Sequence, residues 1–300
     1  MNKVTKNLLI TALVLILVGG AAFTVLLARC DWDLTNLSGG EVETHEYAIT
    51  EGFDTVKIFA DTADILFLPS EDGICRVVTR DHRDITYTPT VEDGTLRVGH
   101  SDERAWYDHI TFFGGRSTVT VYLPAGEYAA LTVDTSTGDV EIPRDFTFGQ
   151  MEVTLSTGDV TCSATVLGKA TVTASTGDIT LADLSAGELA LSVSTGDITL
   201  SGVTCGSLVS KGNTGDIRLT GTLVAGTLSI ERSTGDVTLD GCDAAEVFIK
   251  TSTGDVGGRF LTDKVFLVDT STGDREVPRT TSGGRCEIIT SSGDIYFREP

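Results

Sequence analysis

Apolar residues along the second half of the chain fall into columns. From residue 131 onward, the string Ser-Thr-Gly-Asp or a close variant returns nine times, and its glycines are 19 or 20 residues apart. Aligned on that glycine, the position two residues on holds Val140, Val160, Ile179, Ile198, Ile217, Val237, Val256 and Ile295, with Arg275 as the exception. Four residues on stand Ile142, Cys162, Leu181, Leu200, Leu219, Leu239, Val277 and Phe297, with Gly258 as the gap. Five residues before it stand Val133, Val153, Val172, Leu191, Ile230, Ile249, Val268 and Ile288, with Ser210 as the lapse. The positions between are Thr, Ser, Glu, Asp and Lys. Period-two alternation on both sides of a glycine predicts strand, tight turn, strand.

Thr-Gly at the centre suits a type II turn, whose second central residue needs positive φ. A two-stranded unit with one apolar face cannot bury that face alone, so self-similarity at this period predicts a stack. The fold expected is all-β: a parallel β-solenoid, taken as a right-handed β-helix, of 19–20-residue rungs. Nine rungs at the ~4.8 Å strand spacing give a rod roughly 40 Å long. Hairpin pairing of the same strands, in a β-sandwich or β-roll, also satisfies the alternation.

Before the repeats, Val56, Ile58, Ala63, Asp64, Ile65, Phe67 and Pro69 match the template of Leu131, Val133, Gly138, Asp139, Val140, Ile142 and Pro143. This reads as a degenerate rung capping the stack. Strand-like runs follow around Cys75–Arg80, 84–90, 95–99 and 117–123.

Leu8 to Ala28 carries no charge. At ~1.5 Å per residue it spans roughly 30 Å, a bilayer's hydrocarbon thickness. Lys3 and Lys6 precede it and Asp31, Asp33 and Glu41 follow, which orients the N-terminus to the cytoplasm and the rest outside. A cleaved signal peptide is the rival, with Gly19-Gly20-Ala21-Ala22 as a cleavage zone. Lipidation at Cys30 conflicts with Arg29 at a position that needs a small residue. The organisation expected is a cytoplasmic tail (1–7), a transmembrane helix (8–28), a polar stalk (29–50), degenerate rungs with an aromatic insertion (51–130) and the repeat solenoid (131–300).

The net charge of −21 argues against nucleic acid or anionic lipid headgroups as partners. The six cysteines do not suggest a disulfide framework. Cys162 and Cys286 occupy columns that hold Leu181 and Leu200, or Leu189 and Leu208, in sister repeats, as buried thiols would.

The opening rung at Ile58–Pro69, the Val-Tyr-Leu-Pro run at Val121–Pro124, the tandem repeats and the single N-terminal apolar segment together resemble a bacterial β-strand-repeat domain of unknown function, also called the "putative adhesin" family. The resemblance covers roughly residues 45 to 300. It implies a solenoid-like fold on a membrane or cell surface, and it carries no catalytic residue with it.

Two groups of residues are candidates for chemistry. Asp139, Asp159, Asp178, Asp197, Asp216, Asp236, Asp255, Asp274 and Asp294 would line one edge of the rod. Neighbouring carboxylates at ~4.8 Å repel by roughly 1 kcal/mol in water. Hydrogen bonds from turn groups would offset this, or a row of Ca²⁺ ions would. The second group is the interval 100–116, where Trp106, Tyr107, Phe112 and Phe113 make an aromatic cap or an interaction patch. His100, Asp102, Glu103, Asp108 and His109 lie around them, at spacings that match no firm metal pattern.

No nucleophile–base pair is visible, and no cofactor is expected, calcium apart. The function expected is non-enzymatic: a membrane-anchored cell-surface protein for adhesion or for binding an envelope protein or wall polymer. The alternatives are an accessory in envelope-stress sensing or signalling, a Ca²⁺-binding solenoid, and a polysaccharide-active β-helix enzyme.

Overall fold

The computed structural model describes residues 6, 12–21, 24, 42–82, 85–102 and 117–300, which include twenty-three strands. The chain is an all-β parallel solenoid of about nine turns. Each turn has a long strand and a short one. In one rung these are Thr165–Thr176 and Ile179–Ala182, and in the next Ser185–Thr195 and Ile198–Ser201. Long strands pair in parallel with long strands and short with short, so Val172 faces Leu191 and Ile179 faces Ile198.

This register makes the aliphatic columns continuous. Val160, Ile179, Ile198, Ile217, Val237, Val256 and Ile295 are all buried between the two sheets. Cys162 stacks on Leu181, and Cys286 on Val247, as their columns predict. The described cysteines, Cys75, Cys162, Cys205, Cys242 and Cys286, are all free and buried.

The corner differs from the expected type II turn. Its glycines have φ between 127° and 149°, far from the ~80° of that turn. Hydrogen bonds at the corner run between rungs: Gly158 N–H donates to the Thr176 carbonyl (3.0 Å) and Val160 N–H to the Asp178 carbonyl (2.9 Å). Glycine is required because a Cβ on Gly158, Gly177 or Gly196 would lie 1.9–2.0 Å from the previous rung's glycine carbonyl oxygen. A second glycine column, absent from the sequence reading, lies at the opposite bend. Cβ atoms on Gly149, Gly168, Gly187, Gly206 and Gly226 would meet the previous rung's carbonyl oxygens at 2.5–2.9 Å.

The breaks at Gly258 and Arg275, and the glycine beside Ser210, have a physical reason. Two residues after Ser210, Gly212 leaves room for Arg232, which is buried on the next rung and whose Nη1 donates to the Val193 carbonyl at 3.2 Å. Gly258 pairs with Phe297, and the space is filled by Phe260 and Phe297, stacked 5.1 Å apart, with Phe266 beside them. Arg275 marks the end of the rod.

At that end, spatial order departs from chain order. The last rung, Gly284–Ser292 and Ile295–Arg298, inserts between two earlier ones: Ile288 pairs with Ile249 on one side and Val268 on the other. The rung holding Arg275 and Glu276 is therefore outermost, where its short strand needs no apolar residue, and both side chains are exposed.

The other end is rearranged similarly. Thr55–Pro69 is one unbroken fifteen-residue strand that keeps the rung template without the glycine corner. It does not cap the stack, contrary to expectation. Thr95–Asp102 and Ser117–Leu123 pair on its outer side, and the first glycine rung on its inner side. Val42–Ile49, within the expected stalk, is a strand antiparallel to Cys75–His82.

Of the expected transmembrane span, residues 12–21 are described as helix, with Leu13 to Val18 each more than half exposed. Among the described residues, no helix is long and apolar enough to cross a membrane. Residues 7–11, 22–23 and 25–41 lie outside them.

Candidate interaction surface

The aspartate column has a defined role in the corner. Between its glycine and its next short strand, each rung has one N–H, that of the aspartate, for which the sheets supply no carbonyl. The preceding rung's carboxylate supplies the acceptor instead. Asp159 N–H donates to Asp139 Oδ1 (2.9 Å), Asp178 N–H to Asp159 Oδ1 (2.8 Å) and Asp197 N–H to Asp178 Oδ1 (2.8 Å). The ladder continues through Asp216, Asp236 and Asp255 at 2.7–2.9 Å. It begins at Asp64, whose Oδ1 accepts from Asp139 N–H at 3.0 Å. At the far end it follows space rather than chain: Asp294 N–H donates to Asp255, and Asp274 N–H to Asp294.

A carboxylate accepting a main-chain N–H makes a charge-assisted bond, worth ~1.5–3 kcal/mol, against a repulsion between neighbours at this spacing of ~1 kcal/mol in water and ~3–4 kcal/mol at an effective dielectric near 20. These bonds offset much of the repulsion along the column. Among the described residues, no three His, Cys, Asp or Glu side chains come together as a metal-ligand set.

Beside the aspartates run two columns of hydroxyls. Ser156, Ser175 and Ser194 are exposed, and Thr157, Thr176 and Thr195 stand next to them in strict register. Around the corner, the outward face of the short-strand sheet carries Glu141, Thr161, Thr180, Thr199, Arg218 and Thr238, each paired with the next. This threonine column was not singled out from the sequence; it was legible as the residue three after the glycine. The rod thus presents hydroxyl and carboxylate groups at one-rung intervals on adjoining faces.

The buried thiols are poor nucleophiles. Burial pushes Cys75, Cys162 and Cys286 up to about 12 and Cys205 up to about 11. The expected aromatic patch, Trp106, Tyr107, Phe112 and Phe113, lies outside the described residues, as do Glu103, Asp108 and His109.

The family model described as Toastrack DUF4097, a domain of unknown function, matches residues 53–298. The chain belongs to the Toastrack family. Among solved structures, this Toastrack chain is similar to a "putative lipid binding protein" from Parabacteroides distasonis, at 16% identity and a TM-score of 0.52, covering 86% of this chain and 98% of the other. A "putative adhesin" from Bacteroides fragilis is 16% identical over 87% of this chain and 99% of its own, with a TM-score of 0.48. Another from Parabacteroides merdae is 14% identical over 85% and 96%, with a TM-score of 0.44. At these identities the likeness concerns the fold. No curated protein matches the chain.

Proposed function

We propose that this Toastrack protein is a membrane-anchored, non-enzymatic rod at the bacterial cell surface that binds an envelope polymer or protein along its length. The N-terminal apolar segment is the single-pass anchor, with its N-terminus cytoplasmic and the solenoid outside. The observation that carries the reading is the set of Ser, Thr and Asp columns, repeated once per rung in strict register. A periodic polar surface engages an extended partner many times over, and weak contacts then add through their high effective concentration. The uncovered apolar side chains of Leu13 to Val18 support the anchor, since solvent-exposed apolar faces of this kind mark membrane or partner contact. Right-handed winding belongs to the same proposal, on the general preference of parallel crossovers.

The test is crosslinking in intact cells, from a photoreactive residue at Thr180 on the outward sheet face. Adducts with wall polymer or with an external protein are expected. Adducts confined to membrane proteins of the same cell would replace this reading with the sensing accessory.

A further inference from the structure

The two ends of the rod treat their edge strands differently. At the N-terminal end the chain covers its parallel stack with antiparallel strands of its own: Ile85–Glu92 pairs with Thr95–Asp102, and Cys75–His82 with Ser117–Leu123. At the C-terminal end, among the described residues, Lys264–Thr272 is paired on one side only, by Gly284–Ser292. An uncovered edge of this kind is a template for a further strand.

Gly293 N–H donates to the Thr272 carbonyl at 3.0 Å, so the even-numbered residues of Lys264–Thr272 turn their main-chain groups to the covered side. By alternation along the strand, Val265, Leu267, Asp269 and Ser271 turn theirs to the open side. Edges are blunted elsewhere by proline, by bulges or by protruding charges. This strand has no proline, and its pairing with Gly284–Ser292 runs without a register shift. Its inward charge, Lys264, is tied to Asp243 and only 3% exposed. Its outward charge, Asp269, is paired with Arg275 at 3.0 Å.

The open end is also apolar. Phe266 and Val268 stand in register with Cys286 and Ile288, which are fully buried, yet both are only half-buried and packed on the core from one side. On the outward face Leu267 is 49% exposed. The outermost rung, residues 264–283, carries three basic and three acidic side chains, so it is neutral in a chain of net charge −21. A strongly charged partner gains nothing there, and a second copy brings no net charge to the contact.

The strand is complementary to itself. Antiparallel pairing about a twofold axis at Leu267 sets Phe266 against Val268 of the second copy on the interior side, and Leu267 against Leu267 on the outward side. Moving the axis to Val268 opposes Phe266 to Thr270 and Leu267 to Asp269, which breaks both matches. The antiparallel sense also carries each copy's glycine corner, just beyond Thr272, to the far end of the other's strand, so the aspartate edges do not meet.

We propose that the C-terminal end of the rod is a homotypic docking surface, through which two copies join tail to tail by antiparallel pairing of Lys264–Thr272 centred on Leu267. The strand Val42–Ile49 lies at the opposite end, on the antiparallel strands that cover it. With the N-terminal segment as the anchor, which is the reading above, the joined rods stand on facing membranes.

The test is sedimentation equilibrium of the full chain in detergent, where a reversible dimer is expected. Leu267→Lys and Leu267→Glu each set like charges opposite each other at the axis and should weaken dimerisation about tenfold or more. Mixed in equal amounts, they set Lys against Glu and should restore pairing, which a folding defect in either would prevent. A native chain that stays monomeric to its solubility limit, a dimer that both variants retain, or variants that do not pair when mixed would overturn the inference. So would a photoreactive residue at Leu267 that captures only a foreign protein in intact cells.

Vesicles bearing the native chain should cluster, and those bearing Leu267→Lys should cluster only with those bearing Leu267→Glu. If the dimer forms as described but vesicles do not cluster, the tail-to-tail join stands and its placement on facing membranes falls with the anchor. Polymer binding is tested separately, by the Thr180 adducts.

Discussion

Alanine at a single corner glycine tests the stacking argument quantitatively. At Gly196 the φ of 144° lies in a region essentially closed to L-residues, which costs about 1–3 kcal/mol. The added Cβ would stand 2.0 Å from the Gly177 carbonyl oxygen, whereas carbon–oxygen contacts settle near ~3.3 Å. Relief therefore needs more than about 1 Å of separation between the two rungs. Three bonds hold that interval: Gly177 N–H to the Thr195 carbonyl (3.0 Å), Ile179 N–H to the Asp197 carbonyl (2.9 Å), and Asp197 N–H to Asp178 Oδ1 (2.8 Å). Stretching two neutral bonds and one charge-assisted bond costs about 2–4 kcal/mol more, so Gly196→Ala should destabilise by about 3–5 kcal/mol after partial relaxation. Gly241→Ala is the control. Its φ of 62° is also positive, but nothing lies within 4 Å of its Cβ position, so only the backbone term of about 1–2 kcal/mol applies. Urea unfolding followed by circular dichroism, with amide hydrogen exchange at Thr195–Ile198, measures both variants. If Gly196→Ala is no more damaging than Gly241→Ala, close carbonyl stacking is not what the column requires.

Asp178→Asn keeps the acceptor and removes a charge, so its unfolding midpoint should stay at or above that of the native protein, whereas Asp178→Ala should lose about 1–3 kcal/mol. Differential scanning calorimetry separates the two, and equal losses would refute the acceptor role. In a Cys30→Ser background, the remaining thiols should react with a thiol reagent only once denaturant is added, because burial raises their pKa values and shields them. Lys264→Met should expose the last rung first, giving faster exchange at Ile288–Thr290 than at Val172–Ala174 by mass spectrometry. The contribution of the Lys264–Asp243 pair is full above the unfolded carboxyl pKa near ~3.9 and is lost as pH falls through the lower folded value, so native and Lys264→Met midpoints should converge there.

The rungs and their interior were legible in the sequence because one turn chemistry and three apolar columns recur in register. The order of the last two rungs was not. Val268, Thr270 and Gly273 follow the same template as Ile288, Thr290 and Gly293, so either segment fits against the rung of Ile249. Arg275 was the one local sign, since an arginine in an interior column is tolerable only where one side of the rung is uncovered. The second glycine column was obscured by its variable spacing of ten or eleven residues from the first, which the bulge between Val166 and Lys169 absorbs.

The identity of the corner residue follows from needing both sides of a carboxylate. Asparagine would complete the inter-rung bond equally well, and stacked asparagines with exposed hydroxyl columns are the composition of self-associating β-structures. A rod whose edge repeats at the strand spacing is in register with every other copy of itself. Nothing in its hydrogen bonding opposes lateral or end-on association, and the uncovered strand Lys264–Thr272 offers a template. The aspartate turns Oδ1 inward as an acceptor and leaves a negative charge on the exposed edge of every glycine rung, from Asp139 to Asp274. With the chain at −21, two such edges repel before they meet. On the adjoining sheet face, the six paired positions from Glu141 to Thr238 carry only Glu141 and Arg218 as charges, so the proposed partner has a mostly hydroxyl-lined side to approach while the aspartate edges keep copies of the rod apart along their length.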